Sequence, residues 1–155
     1  METDVLDLLM RHELAIKQLY DVFATMFTTH RAFWEGIAVE EQRHADWLEK
    51  LQAGSNISKE LLNQKLKPQP IKLSIDYVEG QITKAKGGKF TLLEALSAAR
   101  DIESALLERQ FSRISEITSQ ELKPVMMSLA AETEKHRKEL VKEIEAQKST
   151  INKTR

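Results

Sequence analysis

The sequence predicts an all-α protein, a four-helix bundle made of two helical hairpins joined by a long crossover that contains a short helix. Three observations carry this expectation. Apolar residues recur in four segments at alternating steps of three and four, the period of one helix face. Prolines and glycines are few, three and five, and sit mainly outside those segments. A stretch of the second segment is repeated, with its histidine, in the fourth.

The first segment, Thr3 to Phe27, carries the stripe Leu6, Leu9, Glu13, Ile16, Tyr20, Phe23, Phe27. A break at Thr28, Thr29 and His30 leads to a second helix ending near Gly54, with the stripe Trp34, Ile37, Glu41, His44, Leu48, Leu51. So short a break makes these two helices antiparallel neighbours. Residues 53–90 form the crossover. They hold Pro68 and Pro70, a short helical piece after Ser58, and another from Ser74 to Lys86 with Ile75, Val78, Ile82 and Ala85 on one side and Gly87-Gly88 closing it. This length reaches the far end of a bundle, so the next helix need not run against its predecessor. Thr91 and Glu94 have the spacing of a capping box, which starts the third long helix with the inner face Leu92, Leu96, Ala99, Glu103, Leu106. The fourth begins between Thr118 and Pro124, with an irregularity expected at the proline, and its inner face reads Met126, Leu129, Thr133, His136, Leu140, Ile144. Residues 1–148 are expected to form one domain and 149–155 a polar tail.

At 155 residues the chain is long enough to bury a core, and 23 basic against 24 acidic residues offer no charge excess for nucleic acid. The absence of cysteine excludes disulfides, zinc ribbons, iron–sulfur clusters and thiol nucleophiles. An acidic start and the lack of a long apolar run make the cytoplasm the expected location, with no membrane partner.

The repeat aligns Ile37 through Leu48 with Leu129 through Leu140. Ala38, Glu40, His44 and Leu48 match Ala130, Glu132, His136 and Leu140, and upstream Glu13 matches Glu103. Glu13, Glu41, His44, Glu103 and His136 all occupy inner-face positions among apolar neighbours. An ionised carboxylate in an apolar layer costs several kcal/mol unless it is compensated, and no lysine or arginine shares these stripes at that level. A bound metal cation accounts for all five residues together. Glu41 and His44, three apart on one helix, reach the same point. Carboxylate with imidazole suits iron or manganese and admits zinc. Taken singly, His12 and His30 read as ordinary histidines, one off the stripe and one in a turn. Tyr20 and Trp34 read as core packing, and Glu40 and Glu132, one step off the seam, as either solvated or capping the rim of the site.

The ordered set resembles a rubrerythrin-type member of the ferritin-like superfamily of di-iron carboxylate proteins, whose site takes one Glu from each of two helices and a Glu-x-x-His from each of the others. The features that carry the resemblance are Glu13 with Tyr20 seven residues on, the intact Glu41-Gln-Arg-His44, Glu103, and His136, over nearly the whole chain. It implies a ferritin-like four-helix bundle and a mono- or di-nuclear iron site. Five of the six expected ligands are present, since Thr133 stands where the second Glu-x-x-His has its carboxylate. Glu132, four residues before His136, is a further candidate ligand. The resemblance also implies oxidase or peroxidase chemistry on dioxygen or peroxide, an external electron donor, and pairing into a homodimer. The alternative is a non-catalytic helical bundle with a degenerate metal site, acting in protein–protein interaction or metal sensing.

Overall fold

The computed structural model describes residues 4–54, 67–114 and 120–153, and every regular element among them is helical. The helices are α1 (Val5–Met26), α2 (Arg31–Gly54), α3 (Pro68–Lys86), α4 (Leu92–Ile114) and α5 (Leu122–Lys153), with a single 3-10 turn at Thr28–His30 between the first two. None is long and apolar enough to cross a membrane.

Local chemistry sets the ends. Asp4 caps α1, its carboxylate accepting from the Leu6 backbone at 3.0 Å. The expected capping box starts α4: the Glu94 amide donates to Thr91 Oγ1 and the Thr91 amide to Glu94 Oε1, both at 3.1 Å. Gly88, at φ +71°, terminates α3 in the left-handed region that disfavours a side chain.

Two differences from the sequence reading concern helix length. The crossover helix starts at Pro68 rather than Ser74 and runs 19 residues, so it is not short. Both prolines fall in its first turn, where the missing N–H would have had no intrahelical partner. Pro124 lies in the first turn of α5 for the same reason and causes no interior break. At the other end α5 continues to Lys153, through residues expected to form a tail, because neither proline nor glycine follows Pro124. The helical piece expected after Ser58 lies outside the described residues.

Side-chain contacts give the directions. Gln52 near the end of α2 donates to Asp4 at the start of α1 (2.9 Å), so these helices are antiparallel. Ile71 and Ile75 at the start of α3 pack with Val5, Leu6 and Leu8, whereas Val78, Ile82 and Ala85 pack with Ile16 to Ala24. Helix α3 therefore climbs alongside α1 and delivers the chain to the end of the bundle where α2 began. There Phe90 meets Phe23 edge-on, with ring centroids 5.3 Å apart, and α4 starts its descent parallel to α2. Helix α5 returns against α4, and its Gln147 reaches His30 at the first turn (3.0 Å).

The apolar core is in two parts. One cluster holds Tyr20, Phe23, Trp34, Leu96, Leu140 and Ile144 among others; the second holds Val5, Leu8, Leu48, Ile75, Leu122 and Leu129. Each large apolar side chain so buried contributes roughly 1.5–3 kcal/mol. On α1, α2 and α5 the buried polar residues lying between the two clusters are His12, Glu13, Glu41, His44, Thr133 and His136.

Candidate metal centre

The five inner-face residues meet in this intermediate layer. Glu13 is 3% exposed, Glu41, Glu103 and His136 are 0% and His44 is 1%. The helical period puts each on the face that carries its helix's apolar stripe, so packing the stripes together brings the polar groups to one point.

Two overlapping triads result, Glu13–Glu41–His44 and Glu41–Glu103–His136, the ligand-capable atoms of each lying within 4.8 Å of one another. In the first, His44 Nδ1 is 3.7 Å from Glu13 Oε2 and 3.4 Å from Glu41 Oε2. In the second, His136 Nδ1 is 3.0 Å from Glu41 Oε1 and 3.7 Å from Glu103 Oε1. Glu41 thus turns one oxygen to each histidine. The imidazoles stack with centroids 5.6 Å apart and planes 26° from parallel.

The inward atoms are unsatisfied. Glu13 Oε2, both oxygens of Glu41, Glu103 Oε2, and Nδ1 of His44 and of His136 are buried without a hydrogen-bond partner. Buried polar atoms are nearly always paired, and six orphans around one point are a strong departure. Close approach without hydrogen-bond alignment is the geometry that a cation at the centre would complete, and the donor set of carboxylate oxygens with imidazole nitrogens fits a divalent transition metal.

The outward nitrogens are held differently. His44 Nε2 donates to Glu132 Oε2 at 2.6 Å and His136 Nε2 donates to Glu40 Oε2 at 3.1 Å. Glu40 and Glu132 are equivalent in the repeat, so each hairpin supplies the carboxylate that orients the other hairpin's histidine. Arg43 bonds Glu132 and lies 3.6 Å from Glu40, and Lys135 lies 3.8 Å from Glu40. Glu40, Glu132 and His136 form a third close group, but at this rim Arg43 and Lys135 already supply positive charge.

The charges follow from this geometry. Burial opposes protonating either histidine, yet Glu13 and Glu41 push His44 up to about 11, and Glu103 and Glu41 do the same for His136. Burial, together with the charges of Glu103 and Glu13, raises Glu41 well above the usual carboxylate range. Glu13 goes the other way: burial acts to raise it, but contact with Glu41 and His44 holds it at about 2. Without metal, the two imidazolium rings are the counter-charges for these carboxylates among the described residues.

Comparison with known proteins finds no match to any protein-family model, curated protein or solved structure.

Residue by residue, Glu13, Glu41, His44, Glu103 and His136 are brought together. Thr133, 1% exposed, occupies the position equivalent to Glu41, and its hydroxyl donates to the Leu129 carbonyl at 2.8 Å. Glu132 does not turn inward to take its place; it reaches across to Arg43 and His44 on α2. His30 sits in the turn, 3.3 Å from Glu143. His12 is off the stripe yet buried, at 3% exposed.

Tyr20 is more than packing. Its hydroxyl donates to Glu103 Oε1 at 2.8 Å, and burial beside Glu103 keeps the phenol protonated. Tyr20→Phe leaves that buried oxygen without its donor, so we expect a loss of about 1–3 kcal/mol of stability. Urea denaturation of the metal-free variant measures it; an unchanged midpoint would show that the bond contributes nothing.

Proposed function

We propose that this chain is a ferritin-like protein of the rubrerythrin type that binds two divalent metal ions, iron foremost, with Glu41 bridging them. The observation that carries the reading is the ring of six buried, unpartnered ligand atoms shared by two triads through the two oxygens of Glu41. Glu13 and His44 complete one position, and Glu103 and His136 the other. Glu132 and Glu40 hold the Nε2–H of each ring so that Nδ1 faces inward, the arrangement that metal-bound histidines need. The order of the helices, with α4 parallel to α2, supports a ferritin-like bundle in this reading. Iron held by Glu13, Glu41, His44, Glu103 and His136 would supply electrons to dioxygen or peroxide, and the protein would then act as an oxidase or peroxidase dependent on an external donor.

A second reading has one supporting observation. Thr133 fills the place of a fourth carboxylate with a hydroxyl already committed to the backbone. A site with a single bridging carboxylate suits a metal-sensing or interaction module whose centre does not turn over.

Metal uptake competes with protons at Glu41, His44 and His136, because the metal-free geometry favours the protonated form of each. The sign follows directly. Raised values mean that protons compete at neutral pH, so apparent affinity rises with pH toward about 11. The gain is about tenfold per pH unit for each proton released. Anaerobic ferrous titration in buffers of differing ionisation enthalpy counts the protons, and elemental analysis counts the metal. Two ions per chain with proton release supports the leading reading, and one ion favours the second. No uptake at any pH between 6 and 9 defeats both.

A further inference from the structure

A cavity of about 300 Å3 lies beside the metal centre and is formed by all five helices. Its lining includes exposed residues, Lys67, Pro70, Ala105 and Glu108, and fully buried ones, Leu48, Leu129 and the inner carboxylate Glu13. It therefore connects the surface with Glu13. The volume is about ten times one water's share of the liquid, and it falls at the lower end of small-molecule pockets.

Most of the wall is aliphatic: Leu9, Ile71, Leu106, Met126 and Leu129. Apart from Glu13 Oε2, which belongs to the metal centre, the wall holds a second unpartnered acceptor. Gln110 is 4% exposed, and its Oε1 is buried with no hydrogen bond. A buried amide oxygen left unpaired is unfavourable, and only a hydrogen-bond donor can satisfy it. The charged lining is mixed. Glu13 and Glu108 disfavour an anion, while Lys67 and Arg109 disfavour a cation.

We propose that this cavity binds a small uncharged aliphatic molecule carrying a hydroxyl group. The hydroxyl donates to Gln110 Oε1, and the hydrocarbon packs on Leu9, Ile71, Met126 and Leu129. Binding itself does not depend on metal. That the bound molecule lies against a metal centre, and so is placed as its substrate, rests on the function proposed above.

The test uses the full chain freed of metal with chelator, titrated calorimetrically with 1-hexanol, and with hexanoate and hexylammonium as charged counterparts. The expected result is one saturable hexanol site per chain and weaker binding of both ions. Gln110→Met removes the acceptor at nearly constant shape and should weaken hexanol about three- to tenfold. Ala105→Trp fills the rim from an exposed position and should abolish binding. No saturable hexanol site, or equal binding in both folded variants, overturns the proposal. Ferrous ion titrated into the same preparations separates the two ideas. Hexanol binding without metal uptake sustains the pocket and removes the metal centre. Metal uptake without hexanol binding removes the pocket alone.

Discussion

Glu41→Gln is expected to lower metal affinity by more than about 100-fold while leaving the metal-free protein folded and nearly as stable. The two halves of this expectation have different causes. Glu41 is the one residue common to both triads, so its loss strips a ligand from each position. Loss of an outer partner alone costs roughly 10- to 100-fold, and removal of a shared ligand should exceed that. Stability behaves otherwise because burial and its acidic neighbours already favour the protonated form of Glu41 without metal. Glutamine has nearly the shape of a protonated glutamate and carries no charge. Metal titration and thermal melting on one preparation decide it. If Glu41→Gln binds metal within tenfold of wild type, the bridging role is wrong. If it fails to fold, Glu41 is an ionised partner of the histidines, and the charge assignment is wrong.

Much of this centre was legible from spacing. Glu13, Glu41, His44, Glu103 and His136 stood out because ionisable groups on an apolar stripe need compensation, and because the repeat set them at one depth. What the spacing concealed depended on tertiary distance. Glu40 and Glu132 lie one residue off the seam, and their partners are on other helices, so a single-helix reading placed them at the rim. The repeat did hold a signal, since both match at the same offset, as do Arg43 and Lys135 in charge. Tyr20 read as packing because periodicity reports which face a ring occupies and not what its hydroxyl meets. Gln110 is buried one turn beyond Leu106, where the inner-face reading of α4 stopped, and His12 is buried off its stripe because α1 packs against α3 as well as α2. The length of α3 was misjudged for a local reason: proline breaks a helix interior but suits a first turn, and the pattern alone did not say which applied.

The largest effect after Glu41 is expected at the reciprocal carboxylates. Glu132→Gln should weaken the position built on His44, and Glu40→Gln the position built on His136, each by roughly 10- to 100-fold. The cross-over is the discriminating feature. Glu132 stands on the same helix as His136 yet orients the ring on α2, and Glu40 does the converse. A titration that resolves two binding steps should therefore show the step without His44 preserved in Glu132→Gln, and the step without His136 preserved in Glu40→Gln. Equal weakening of both steps by either variant would mean that the carboxylates act only through net charge at the rim. No effect from either would mean that packing alone holds the rings.

The polar layer between the two apolar clusters also bears on how the chain comes apart. Each cluster draws on α1, α2, α3 and α5, so each can persist as a small packed unit after the other has opened. Between them lie paired charges rather than interlocking hydrocarbon, and such a seam transmits little cooperativity when either side loosens. Amide protons of α1 near Leu8 and near Phe23 then exchange through separate opening events, at different free energies. Metal held in the two triads, which together draw on four helices, ties both units to one event. Its binding would register as exchange rates that converge along the whole length of the helix, far beyond the residues that touch it.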